Sequence, residues 1–347
     1  MGRQSHHNQA QDASPPSPDP FACFVRFLAE SPTQCSSDWI AAAGLMHHYC
    51  TVAYRTISAN TEAQNALQLD VPREGLHHPF LLHQILAFSG LHLAFQQHDH
   101  RQMYLLQASQ HQGHAITGLR EALAGTITSN NCHAIYATST FIILGAFAIL
   151  PCYEERSNFV CTIDTILEIF TLIKGMGLIV SSTAEDLRGG PLRGIFNQTK
   201  DPRGRAPMQD LLFHISTLKS LFERTDMLDH QERVCMEAAT SALCDCLSEG
   251  YSSDGVLVTE KLRAIMRWPL FLPDGFLGYV RRRHPAAIAI LLHYSVMLHS
   301  AERNFWFLNG WAAALVKASD GLLAETPWAA ITQWAIDTVA YGVQSKV

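Results

Sequence analysis

Apolar residues recur at three- and four-residue intervals along nearly the whole chain, and strand-like alternation is scarce. That period matches one turn of helix, so the pattern predicts an all-α, multi-helix globular domain. Trp39, Leu45, Met46, Tyr49, Val52, Ala53 and Ile57 form the first stripe, with Asp38 ahead of it as an N-cap. Pro79 suits a first helical turn and opens a helix reaching about residue 97. Further helices are predicted over 101–123, from the caps Asn130 and Asn131 to 150, and over 158–180, 209–224 and 229–246. A long helix over 276–301 contains Pro285, which forces a kink or a junction. Two more, over 304–323 and 326–341, close the chain.

The breaks set the organisation. Residues 1–36, rich in Gln, Ser, Pro and His, read as a disordered tail without a signal peptide, and 37–347 as the helical domain. Gly189, Gly190, Pro191, Gly194, Pro202, Gly204 and Pro207 predict a loop or lid over 181–207. Residues 252–255 read as a turn, and Pro269, Pro273 and Gly275 as further breaks.

Composition narrows the function classes. The 347 residues are 48% hydrophobic and only 16% charged, which suits apolar helices buried on several sides. A formal net charge of −6, with no basic run longer than Arg281 to Arg283, argues against direct binding to nucleic acid by this chain alone. The most apolar run, 141–150 before Pro151, is too short for a membrane span and reads as a buried core helix. Nine cysteines at irregular spacing, with no C-x-x-C, read as reduced and mostly buried thiols of a nuclear or cytoplasmic protein.

Catalytic and metal motifs are missing. No G-x-S-x-G, H-E-x-x-H, P-loop or complete G-x-G-x-x-G occurs, and Gly175-Met176-Gly177 reads as a helix contact. Asp226, Asp229, His230 and Glu232 form the only dense acidic group and read as solvated helix ends. His111 and His114 can share a helix face, but a metal site would need further ligands converging on them. No metal, no cofactor and no catalytic residue set is predicted.

Six ordered segments carry a family resemblance. They are Leu45-Met46-His47-His48-Tyr49-Cys50-Thr51-Val52-Ala53-Tyr54-Arg55-Thr56-Ile57; then Val71-Pro72-Arg73-Glu74-Gly75-Leu76 leading through His78-Pro79-Phe80 to Ala87-Phe88-Ser89-Gly90-Leu91-His92; then Tyr104-Leu105 with His111-Gln112 and Asn131-Cys132-His133-Ala134. Leu172-Ile173-Lys174-Gly175, Trp268-Pro269-Leu270 with His293-Tyr294-Ser295-Val296-Met297-Leu298-His299, and Phe305-Trp306-Phe307-Leu308-Asn309-Gly310-Trp311 complete the set. Together they resemble the fungal-specific transcription factor domain of sterol uptake control proteins, which belong to the binuclear zinc-cluster transcription factors.

The resemblance implies an all-helical fold that often dimerises and a hydrophobic pocket that receives a sterol in the best-understood members. It also marks a departure. Only Cys23 and Cys35 lie in the first 40 residues, so the family's six-cysteine zinc cluster is not expected here. The Pro/Ser-rich start is similar to the linkers that follow such clusters. The expected function is therefore a stand-alone regulatory domain for a sterol or terpenoid-like metabolite, acting in transcription or secondary metabolism through a homodimer or a transcription-factor partner. The alternative is a cofactor-free cyclase, pericyclase or isomerase that reuses the apolar pocket. Candidate ligand-binding residues are Phe141, Leu144, Phe147, Tyr294, Phe305, Trp306 and Trp311. Trp306 and Trp311 lie five apart, so on one helix they would point in different directions.

Overall fold

A computed structural model describes residues 36–153, 163–196, 208–249 and 260–344. Of the tail expected over 1–36, residues 1–35 lie outside the described residues, as do the turn over 252–255 and Cys23, Cys35 and Cys161, while Ser36 is already helical. No strand occurs among those described, as the apolar period predicts. The chain divides into residues 1–44 and 45–347. Residues 36–44 begin helix α1 (Ser36–Thr51), which starts ahead of Asp38 and so places that residue in its first turn rather than at its cap. Every other described element lies in the second unit.

Three helices form the centre of that unit. They are α4 (Pro79–Gln96), α6 (Cys132–Tyr153) and α13 (Pro285–Glu302). Every residue from Ile85 to Ala94 of α4 is buried, and every one from Ala286 to Leu298 of α13. A helix that is apolar all round is stable only when other helices surround it. Helices α2 (Thr61–Asn65) and α3 (Val71–His77) lead into α4. Next to it pack α5 (Arg101–Ala124) and α6, while α7 (Ile163–Gly189) covers α6 and is followed by the short α8 (Arg193–Phe196). Amphipathic α9 (Gln209–Arg224), α10 (His230–Glu249) and α11 (Glu260–Phe271) pack on α13, as do α12 (Phe276–Arg281), α14 (Trp311–Ala318) and α15 (Ala329–Gln344).

Several boundaries differ from the sequence reading. Residues 181–189 were expected in a loop but extend α7, with a kink at Thr183, because Ile179, Thr183 and Leu187 continue its buried face. Residues 197–207 lie outside the described residues. Pro285 makes a junction rather than a kink: α12 ends at Arg281, Arg283 takes φ 59°, and Pro285 starts α13 where its missing N–H costs nothing. Residues 304–323 are not one helix, because Gly310 at φ 85° separates a 3₁₀ turn (Trp306–Leu308) from α14.

The acidic group at 226–232 resolves into a capping box. The Asp229 side chain accepts the Glu232 N–H at 2.8 Å, and Glu232 accepts the Asp229 N–H at 3.0 Å, which starts α10.

Helix α6 is 22 residues long and apolar enough to cross a membrane, so the apolar stretch exceeds the run read from sequence. Most of it, 78% of its most apolar window, is buried inside the protein, as for a core helix.

Candidate functional site

Helices α4 and α5 run antiparallel, with Gly90 facing Ala108 and Phe80 facing Gly118. A side chain at Gly90 would come within 3.1 Å of the Ala108 methyl group, so glycine permits the close approach there. Between these two points α5 presents Ala108, Ser109 and Gly113, which are too small to fill the space toward α6. The result is a groove of about 390 Å³ lined by Leu91, Leu105, Ala108, Ser109, Gln112, Gly113, Ile116, Ile149 and Tyr153. Among the described residues no charged side chain lines it. Its volume falls in the range of small-molecule sites, roughly 300–1,000 Å³. A second groove of about 690 Å³ has walls of both signs, from Glu62, Asp70, Arg73 and Arg193.

The floor of the first groove is tied together. Cys152 Sγ donates to the Leu91 carbonyl at 3.4 Å, and burial pushes this thiol up to about 12, so it stays protonated. Burial likewise raises the neighbouring Tyr153 phenol, which keeps that side chain neutral.

The seven residues singled out from sequence are all buried, and they lie apart from this groove. Phe141 and Leu144 bound a separate apolar void of only about 10 Å³, with Ile57, Leu67, Val71, Ala137, Thr140 and Ile195. Phe147 meets Trp311 edge-on at 5.4 Å. Trp306 packs against Phe88, His92 and Phe95 and donates its indole N–H to Thr56 Oγ1 at 3.1 Å. Phe305 rests on Phe307. Tyr294 packs with Phe170 and Trp268.

Besides Trp306, two of these residues commit their polar atoms to backbone carbonyls. Pro151 sits in the last turn of α6 and has no N–H for the Phe147 carbonyl, and Trp311 Nε1 donates to that carbonyl at 2.8 Å. Pro269 does the same inside α11 to Ile265, whose carbonyl accepts from the Tyr294 hydroxyl at 3.1 Å. Each aromatic donor repairs a helix that a proline has opened.

Histidines pair across helices. His83 on α4 lies 2.9 Å from His111 on α5, nitrogen to nitrogen, and its ring stacks on His114 at 4.9 Å. His48 and His92 form a similar pair at 2.9 Å. Desolvation, reinforced by the neighbouring imidazoles, lowers His92 and His111 to about 4. Among the described residues no group of three or more His, Cys, Asp or Glu is placed to hold a metal ion.

Sequence reasoning missed the groove residues and Gln84, whose side chain is fully buried in α4. The available signals were a lone amide in the apolar run from Leu81 to Ala94, and small residues on the inner face of α5.

Comparison with known proteins agrees with the fold. Residues 44–161 match the fungal specific transcription factor domain. Over 287 residues the chain is 27% identical to sterol uptake control protein 2 of Candida albicans, covering 77% of this chain and 38% of that protein. Sterol uptake control protein 2 of Saccharomyces cerevisiae is 34% identical over 105 residues, which are 30% of this chain and 11% of that protein. The Zn(2)-C6 fungal-type transcription factor afumD of Aspergillus fumigatus is 22% identical over 287 residues, covering 80% and 72%. Residues 44–161 thus resemble the fungal specific transcription factor domain, and the chain is similar in sequence to the sterol uptake control proteins. It spans well under two thirds of the length of those two relatives.

Proposed function

We propose that this chain is a regulatory domain that binds a hydrophobic metabolite of the sterol or terpenoid class and acts in transcription through a protein partner in the nucleus. The observation that carries the reading is the groove between α4, α5 and α6, which no charged side chain lines among the described residues and whose lining from Leu91 to Tyr153 falls wholly within the segment matching the transcription factor domain. Its walls offer apolar area with a few polar groups, the composition that small-molecule sites use. The names of the relatives support a regulatory rather than a catalytic role. The core aromatics, Phe147 and Trp311 among them, hold the helices that carry the groove.

Titration of the purified chain with a fluorescent sterol and with terpenoid alcohols tests this reading. Saturable binding is expected, and Gly113→Leu, which projects a side chain into the groove, should weaken it at least tenfold. Absence of saturable binding by any of them, or unchanged binding in the variant, overturns the reading.

A further inference from the structure

Gln84 is fully buried, and neither its amide nitrogen nor its amide oxygen has a hydrogen-bond partner. A buried amide with nothing to bond is costly, and folded proteins almost always satisfy such groups. An aliphatic side chain would pack at this position without that penalty.

The place of the amide relative to the groove gives it a use. Gly145 on α6 lies between the amide and a groove-lining residue: a Cβ there would stand 3.8 Å from Gln84 Nε2 and 3.4 Å from Leu91 Cδ1. Along α4, Gln84 and Leu91 are seven residues apart and share a face. Along α5, the antiparallel register set by Gly90–Ala108 and Phe80–Gly118 puts Gln84 level with the stretch from Gly113 to Ile116, the far end of the groove. Mostly apolar walls therefore lie next to one unsatisfied amide, and none of the described residues that line the groove is charged.

We infer that Gln84 is the polar anchor of the groove: it recognises the single hydroxyl or carbonyl of a neutral, otherwise apolar ligand lying between α4, α5 and α6. The amide can donate to a carbonyl or hydroxyl oxygen and accept from a hydroxyl, so one neutral group of either kind satisfies it. Anionic lipids are disfavoured, because among the described residues no cation lines the groove to offset the cost of desolvating their charge. This inference rests on the groove being the ligand site.

The test uses dehydroergosterol, which is fluorescent and carries one hydroxyl, and its 3-deoxy hydrocarbon. The parent chain should bind the alcohol about tenfold more tightly than the hydrocarbon, the worth of one net hydrogen bond. Gln84→Met, close in shape but without the amide, should bind both equally, at the parent's affinity for the hydrocarbon. It should also melt at a higher temperature than the ligand-free parent. Gln84→Leu serves as a second variant with the same expected outcome. Equal binding of both probes by the parent, or a preference for the alcohol that survives Gln84→Met, overturns the anchor while leaving the groove as a lipid site. Failure of the parent to bind either probe overturns the groove itself and the anchor with it.

Discussion

The indole nitrogen of Trp311 donates to the backbone carbonyl of Phe147 at 2.8 Å, and Phe147 is the residue whose helical partner is Pro151. The bond is fully buried, so the carbonyl has no water to turn to. Trp311→Phe keeps most of the packing but leaves that carbonyl unsatisfied, at a cost of about 1–3 kcal/mol. Pro151→Ala restores the N–H and gives the carbonyl a helical partner. Trp311→Phe should therefore cost about 1 kcal/mol less in the Pro151→Ala background, a coupling that urea denaturation of the four proteins measures. Additive effects would show that the two residues are unrelated.

The same logic applies to α11 with a different donor. Tyr294→Phe removes only an oxygen, yet it strips the Ile265 carbonyl that Pro269 has left open. A loss of about 1–3 kcal/mol is expected, against near neutrality for removing a hydroxyl from a site with no buried partner. Burial holds the Tyr294 phenol well above its ordinary value, so the loss should not vary between pH 6 and 9.

Acid should destabilise the protein through its histidines. Burial lowers His92, His111 and His293 to about 4, with nearby imidazoles adding to the effect, His48 on His92, His83 and His114 on His111, and His214 on His293. The unfolded chain titrates near 6.5 and so binds more protons between the two values. The stability of the neutral forms is thus fully present above about pH 6.5 and is lost as pH falls toward 4. Urea midpoints should drop between pH 7.5 and 5. His293→Leu should shallow that drop, since His293 is fully buried with Nδ1 on the Ala289 carbonyl and Nε2 unpartnered. An unchanged slope would remove His293 from the account.

The helices were legible because burial imposes the apolar period, and Pro79 marks a start that the chain obeys, while at Pro285 the sequence left a kink and a junction open and the chain makes the junction. The extension of α7 past residue 181 was not legible, since its glycines and charges look like a loop until Thr183 and Leu187 are seen to be buried. The break between Trp306 and Trp311 depends on Gly310 adopting φ 85°, which a single glycine in an aromatic run does not announce. The six aromatics and Leu144 drew attention as large apolar side chains, and those are what a core selects for, so all seven are buried. The groove is made by missing volume at Ala108, Ser109 and Gly113, and small residues become informative only once the neighbouring helices are in place.

Gly113 makes that last point testable. It sits within α5, and a Cβ built on it meets nothing within 4 Å, so no neighbour requires glycine there. Glycine in a helix interior costs about 1 kcal/mol relative to alanine. Gly113→Ala should raise stability by about that amount, read as a higher urea midpoint, and should leave sterol binding within about twofold, since a single methyl barely narrows the groove. Gly113→Leu should be at least as stable as the parent, because leucine also favours helix and its side chain enters open space. Loss of binding in Gly113→Leu together with gained stability would separate occupation of the groove from damage to the fold. Destabilisation by both variants would instead mean that α5 needs glycine for its own packing, and the groove would lose its explanation.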